Sequence, residues 1–108
     1  MSGGIDAARH AAQRNEAEVA QARYVVRGRV QGVGFRWFVL HQASALDLGG
    51  YVRNLPDGSV EVLASGAEAG LTRLEQALHR GPSSARVENV EKSDVPHDAK
   101  LPKPFDVR

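Results

Sequence analysis

Hydrophobic and polar positions in the first half of the chain predict a strand followed by a helix. A β-branched and aromatic run at residues 24–30 is typical of a strand. Apolar residues then recur at helical spacing from Phe35 to Leu46, which predicts a helix of about three turns. Gly49 and Gly50 should end this helix, because glycine is favoured just after the last helical residue.

The second half of the chain predicts a β-hairpin followed by another helix. Residues 51–54, YVRN, predict a second strand, a Leu-Pro-Asp-Gly turn follows, and residues 59–64 alternate between polar and apolar side chains. Ser65 and Glu68 have the spacing of a capping box, and the leucines behind them recur at helical spacing until a Gly-Pro pair. A fourth strand is predicted at residues 85–92, and the tail at residues 105–108 could form a short edge strand.

The order of these predicted elements is β-α-β-β-α-β, with room for a short fifth strand. This order is typical of the α+β class, and specifically of a ferredoxin-like α/β sandwich, in which two helices cover one face of an antiparallel sheet. Residues 22–108 are assigned to that domain. Residues 1–21, rich in Ala, Gln, Arg and Glu, are expected to form a disordered or loosely helical N-terminal extension.

Composition narrows the classes of function that the domain can have. The chain has 108 residues, a formal net charge of +1 and no cysteine. A charge this small gives no strong field for binding nucleic acid or membranes, so neither partner is expected. The absence of cysteine excludes disulfides and fits a reducing compartment, so we expect a cytoplasmic protein. The four histidines lack the spacing of metal ligands, and we expect neither a metal nor a cofactor.

The stretch RGRVQGVGFRWF, at residues 27–38, joins the first predicted strand to the first helix. The N–H groups at the start of a helix have no partner within it, and the helix dipole is positive there. Glycines let successive N–H groups turn inward around an anion, and Arg36 adds a planar fork of donors that suits phosphate oxygens. The loop is therefore predicted to hold a phosphoryl group. Its residues are Gln31, Gly32, Val33, Gly34, Phe35 and Arg36.

Two other interpretations of this stretch stay open. Its glycines could do no more than turn the chain sharply from a strand into a helix. The stretch also resembles in part the aromatic signature of RNA-recognition modules, which share this fold plan. However, it has Val33 where that signature has an aromatic residue, and it follows the first strand instead of forming the third. The dinucleotide-binding fingerprint and the P-loop do not fit, because the required third glycine and Gly-Lys-Ser/Thr are missing.

Asn54 ends the second predicted strand, which should run parallel to the first because a helix connects the two. The end of this strand should therefore lie at the same edge of the sheet as the glycine loop. An amide at that position can hold a water molecule by donating and accepting, although Asn54 could also serve only the turn that follows it. Arg53 should then point to the opposite face, toward solvent, and Glu61 is expected on an exposed strand face.

Together, GRVQGVGFRWF and GGYVRNLPDGSVEV resemble the signature pair of the acylphosphatase family, and the resemblance extends over residues 23–108. It implies a ferredoxin-like sandwich that hydrolyses the carboxyl-phosphate bond of acyl phosphates without a metal or cofactor. It also implies that Arg36 binds the phosphate and that Asn54 orients the attacking water. The implied ligands are a small-molecule acyl phosphate and, as product-like anions, inorganic phosphate or sulfate. We expect a monomer.

Similar domains also occur inside larger carbamoyl-transfer proteins of hydrogenase maturation. The resemblance therefore leaves an alternative, in which the chain is a carbamoyl-phosphate-binding domain of an assembly. An RNA-binding module on the same fold plan is the least favoured alternative.

Overall fold

The structure is a computed structural model that describes residues 19–96 and 98–108. In this part of the chain the elements follow one another in the predicted order, and none of the helices is long and apolar enough to cross a membrane. The elements are β1 (Ala20–Arg29), α1 (Phe35–Ala45), β2 (Gly49–Asn54), β3 (Val60–Gly66), α2 (Glu68–Arg80), β4 (Arg86–Asp94) and β5 (Asp106–Val107). The predicted N-terminal extension lies outside the described residues apart from its last three, of which Ala20 and Gln21 belong to β1.

The strands form one sheet in the order β4-β1-β3-β2-β5. β1 and β2 each pair antiparallel with β3, which lies between them, so β1 and β2 run parallel to each other, as the helix connection predicted. β5 pairs with β2 in the parallel direction, with Tyr51 opposite Asp106, and the tail is therefore a fifth strand of a mixed sheet. This arrangement confirms the predicted α+β sandwich and places the ends of β1 and β2 at the same edge of the sheet.

The core lies between one face of the sheet and the two helices. Residues of β1 and β3, among them Tyr24 and Val62, are fully buried on this face. Phe35 and Val39 of α1 and Leu74 of α2 belong to the same cluster of buried side chains. The spacing of hydrophobic residues predicted these positions, because burial of apolar surface decides which side of each element faces inward.

The opposite face of the sheet carries a buried carboxylate, and here the sequence-based prediction was wrong. Glu61 was expected to be exposed, but it is 4% exposed. Arg23 from β1 and Arg53 from β2 donate to its two carboxylate oxygens at 2.7 and 2.6 Å. Alternation along β3 cannot show that long side chains of both neighbouring strands cover this position. Arg53 itself is exposed, as predicted.

Glu61 is held in its charged form. Burial tends to raise the pKa of the Glu61 carboxyl, but the hydrogen bonds from Arg53 and Arg23 outweigh burial and lower this pKa from its usual value of 4.5. A lowered folded-state pKa stabilises the fold above the unfolded value, and the stabilisation is lost as the pH falls below it. The ion-paired cluster should therefore weaken in acid.

Replacing Glu61 with glutamine should lower the free energy of unfolding at pH 7 by about 1–3 kcal/mol, toward the low end because both arginines are partly exposed. The variant should also lose less stability than the wild type between pH 5 and pH 3 (roughly the titration range of a carboxyl). Thermal unfolding across this range measures both effects. Glu91→Gln is the matched control, because Glu91 is more than half exposed in its ion pair with Arg27. Equal effects of the two substitutions would contradict the prediction.

α1 ends earlier than the sequence predicted. Its last residue is Ala45, and Asp47 takes the left-handed conformation with a φ of 56° and donates from its N–H to the Ser44 carbonyl oxygen at 3.1 Å. Gly49 and Gly50 instead begin β2. Gly50 has a φ of 127°, and a Cβ atom there would collide with the backbone of β3. The glycine pair therefore serves strand pairing and not helix termination.

The capping box predicted from Ser65 and Glu68 is also wrong. β3 continues through Gly66, and Ser65 is paired with β1 on one side and β2 on the other. α2 therefore begins only at Glu68, behind Ala67, and among the described residues no side chain caps it. Ser65 and Glu68 do have the spacing of a capping box, but β3 extends beyond its predicted end at residue 64, so Ser65 belongs to the strand and not to the start of the helix.

Candidate active site

The connection between β1 and α1 is a tight loop with two left-handed glycines. Gly32 has a φ of 73°, and Gly34, which precedes the first helical residue, has a φ of 77°. A Cβ atom added at either position would meet nothing within 4 Å. Glycine is therefore needed for the backbone conformation and not for lack of room, since other L-residues adopt these angles only at a cost.

The N-terminus of α1 is open to an anion. Within the described ranges no side chain caps it, and its first turn contains no acidic residue. The N–H of Phe38 donates to the carbonyl oxygen of Gly34 at 3.0 Å, and the N–H groups of residues 35–37 precede this first bond and have no acceptor within the helix. These free donors and the positive end of the helix dipole favour a bound anion.

A pocket of about 130 Å³ lies against this N-terminus and reaches the end of β2. It brings Arg36 and Asn54 together, although the two residues come from different elements. Its lining residues are Val30, Gly32, Gly34, Phe35, Arg36, Trp37 and Asn54. Gln31 and Val33, which the sequence predicted for phosphate binding, do not line this pocket, and their part in binding stays a prediction.

Two larger pockets lie elsewhere on the protein. One of about 340 Å³ is lined in part by Asp47, and one of about 380 Å³ in part by Glu68 and Asp94. Lys103 is ion-paired with Asp47 in the first pocket, and in the second Lys92 is outnumbered by the two carboxylates, whereas Arg36 is the only charged residue, among those that the structure describes, that lines the pocket at α1. The charge of the lining groups, and not the volume, therefore selects the smaller pocket as the candidate active site.

The Arg36 side chain is held from one side by the residue that follows β5. Its Nη1 donates to the main-chain oxygen of Arg108 at 2.9 Å. Arg108 is itself fixed, because its N–H donates to the Val52 carbonyl oxygen at 2.8 Å and its guanidinium lies 4.2 Å from the centre of the Tyr51 ring. The remaining donors of Arg36 make no hydrogen bond with the described residues, so they are available to a ligand. Sequence reasoning missed this contact, which depends on the pairing of β5 with β2.

Side chains outside the pocket fix the loop at two points. The Ser84 hydroxyl donates to the Val33 carbonyl oxygen at 2.8 Å. The Gln31 side-chain Nε2 donates to the carbonyl oxygens of Leu55 and Ser59, each at 2.8 Å. The loop is thus tied to the segment before β4 and to the β2–β3 turn, and no short-range signal in the sequence indicated either contact.

Asn54 is the last residue of β2 and lies opposite Val60 of β3. The turn after it is held by its own residues, since the Asp57 carboxylate accepts from the hydroxyl and the N–H of Ser59, which lowers the Asp57 pKa. The Asn54 side chain makes no hydrogen bond with any described residue. The interpretation in which Asn54 serves only the turn therefore has no side-chain contact to support it.

The histidines that the structure describes, which are the other side chains that could take part in catalysis or metal binding, do not line the pocket. His41 and His79 are exposed on α1 and α2, and His10 and His97 lie outside the described residues. Across residues 19–96 and 98–108, no three metal-ligating side chains of His, Cys, Asp or Glu come together. Trp37 lines the pocket and is 58% exposed, so it is not a core residue.

Comparison with known proteins finds close similarity over most of the chain. A family model described as Acylphosphatase matches residues 22–107. An acylphosphatase of Koribacter versatilis is 56% identical over 79 residues, which are 73% of this chain and 72% of the relative. A solved structure of an acylphosphatase from Coxiella burnetii has a TM-score of 0.79 and 35% identity, over 88% of this chain and 98% of that chain.

Part of a much larger protein is also similar. The solved structure of HypF from T. kodakarensis has a TM-score of 0.70 and 33% identity, over 84% of this chain and 12% of that chain. This chain therefore corresponds to nearly the whole of the Coxiella protein and to a small part of HypF.

Proposed function

Since the chain belongs to the acylphosphatase family and is a hydrolase of acyl phosphates, we propose that the pocket at the N-terminus of α1 is its active site. The observation that carries the proposal is the lining of that pocket, which combines an open helix N-terminus, the Arg36 guanidinium and the Asn54 amide. The first two groups suit a phosphoryl group, and the amide suits the water that attacks it.

The phosphoryl group of the substrate binds where the N-terminus of α1 favours an anion. The N–H groups of residues 32–37 donate to its oxygens, together with Arg36, whose orientation is supported by its bond to Arg108. Donors that are in place before the substrate arrives stabilise the charge on the phosphoryl oxygens in the transition state. These donors all belong to the chain, so the proposed mechanism needs no metal or cofactor.

Asn54 holds the attacking water in line with the bond between phosphorus and the carboxyl oxygen. Its amide can donate to the water and accept from it, but it cannot take a proton at neutral pH. As the water oxygen bonds to phosphorus, the carboxylate leaves with the electron pair of the broken bond, and the proton of the water passes to a phosphoryl oxygen. A leaving group whose acid has a pKa of about 4 departs without protonation, so no general acid is required.

The proposed substrate is a small-molecule acyl phosphate, and inorganic phosphate or sulfate should compete for the same donors. A monomer suffices in this proposal, because one chain supplies every residue that lines the pocket. The proposal includes no nucleic acid or membrane partner. It places the protein in the cytoplasm, because a chain without cysteine is compatible with a reducing compartment.

A comparison of two substrates in the presence and absence of EDTA tests the proposal. Acetyl phosphate should be hydrolysed at the same rate with and without the chelator. Phenyl phosphate should be hydrolysed far more slowly, because its leaving group has a pKa near that of a tyrosine, about 10, and the site supplies no acid. Similar rates for the two substrates, or loss of acetyl phosphate hydrolysis in EDTA, would contradict the proposed mechanism.

The similarity to HypF favours one addition to this assay. Carbamoyl phosphate has the same kind of carboxyl-phosphate linkage, and it is the ligand of the alternative in which the chain is a binding domain of an assembly. That alternative predicts tight binding of carbamoyl phosphate with little turnover. Turnover of carbamoyl phosphate and acetyl phosphate at similar rates would exclude it.

A further inference from the structure

Gln31 connects the phosphate loop to the strand end that carries Asn54. The residue follows β1, and its side-chain Nε2 donates to the carbonyl oxygens of Leu55 and Ser59, each at 2.8 Å. A side-chain amide has two N–H donors, so both are used within the protein. The two acceptors stand at the beginning and at the end of the turn between β2 and β3.

These bonds matter because the sheet does not join the loop to Asn54 directly. The loop follows β1 and Asn54 ends β2, while β3 lies between the two strands. Leu55 comes directly after Asn54, and Ser59 comes directly before Val60, which is the β3 partner of Asn54. The Gln31 amide therefore holds both strands of the hairpin at the position of Asn54.

We propose that Gln31 is a positioning residue for hydrolysis, whose two hydrogen bonds set the distance between the N–H groups of the loop and the Asn54 amide. The inference rests on the roles proposed above for the loop and for Asn54. It assigns the Gln31 side chain a role different from phosphate contact, since both of its donors bind the turn.

A positioning role predicts that turnover and phosphate binding respond differently. Without the two bonds, the loop and Arg36 still hold the phosphoryl group, but the water held by Asn54 moves out of line. Because a displacement of about 1 Å can cost about 100-fold in rate, kcat should fall by about 10-fold or more. The inhibition constant for inorganic phosphate should stay within about twofold of the wild-type value, since no interaction with the phosphoryl group is lost.

The test uses Gln31→Met, which removes both donors at similar side-chain size. Gln21→Met is the control, because Gln21 lies on β1, away from the loop, and its Nε2 likewise donates to a main-chain carbonyl oxygen, that of Ala99 at 3.0 Å. Gln31→Met should lose more thermal stability than Gln21→Met, since it removes two hydrogen bonds instead of one, and only Gln31→Met should lose turnover. Gln31→Asn keeps the amide on a side chain that is one methylene shorter, so the amide no longer reaches the turn and turnover should fall as well. It serves as a second variant if Gln31→Met does not fold.

A double variant with Asn54→Ala shows whether Gln31 acts through Asn54. In that background, Gln31→Met should reduce turnover little further, because residues that act as a unit have non-additive effects. Wild-type turnover of both Gln31 variants, a full further loss in the Asn54→Ala background, or a large rise in the phosphate inhibition constant would each overturn the proposal. Wild-type turnover of Asn54→Ala alone would instead overturn the role proposed for Asn54, and the inference about Gln31 with it.

Discussion

Replacing Asn54 with alanine should lower the turnover number for an acyl phosphate by about 100-fold or more without weakening phosphate binding, because it misplaces the attacking water and nothing else. The loop N–H groups and Arg36, which are proposed to hold the phosphoryl group, are unchanged in this variant. No hydrogen bond between the Asn54 side chain and the described residues is lost, so the variant should fold. Steady-state kinetics, phosphate inhibition and thermal unfolding on one preparation measure the three expectations.

Asn89→Ala is the matched control for this substitution, because Asn89 is exposed on β4, away from the pocket. It should leave turnover and phosphate inhibition unchanged. A stable Asn54→Ala variant that binds phosphate and keeps wild-type turnover would contradict the catalytic role of Asn54. A loss of stability with full activity of the folded fraction would show that Asn54 serves the turn.

Replacing Arg36 with lysine should lower kcat/KM by about 100- to 1,000-fold although the charge is retained, which is the cost of removing one preorganised donor from a transition-state site. An ammonium group cannot reproduce the planar two-point contact of a guanidinium with phosphate oxygens. It is also unable to keep the bond to the Arg108 oxygen while presenting the same fork to the ligand. The inhibition constant for phosphate should therefore rise together with the loss of activity.

Arg73→Lys provides the control for this second substitution, since Arg73 is exposed on α2 and does not line the pocket. It should behave as the wild type in every assay. If Arg36→Lys folds normally and keeps near wild-type turnover, Arg36 does not bind the phosphoryl group in the way proposed.

The sequence predicted those parts of the fold that depend on local spacing. Side chains alternate along a strand and repeat every 3.6 residues along a helix, so the spacing of apolar residues on β3 and α2 shows which face of each element is buried. Gly32 and Gly34 were predicted as a loop that starts a helix, and both adopt left-handed angles there. The helix connection predicted that β1 and β2 run parallel, which was enough to place Asn54 at the edge of the sheet where the loop lies.

The sequence could not predict contacts between residues that are distant along the chain. Glu61 is buried because Arg23 and Arg53 reach it from two other strands, and neither neighbour can be identified before the strand order is known. The same reason applies to the bond between Arg36 and Arg108, which requires the pairing of β5 with β2. Such contacts are fixed by the register of the sheet and not by local spacing.

The central claim is that Arg36 and the loop hold the phosphoryl group while Asn54 acts on the water. Its most direct test is the inhibition constant for inorganic phosphate in Arg36→Lys and Asn54→Ala, measured beside the turnover of each variant. The claim predicts that turnover falls in both variants and that phosphate inhibition weakens only in Arg36→Lys. Weakened inhibition in Asn54→Ala, or unchanged inhibition in Arg36→Lys, would contradict it.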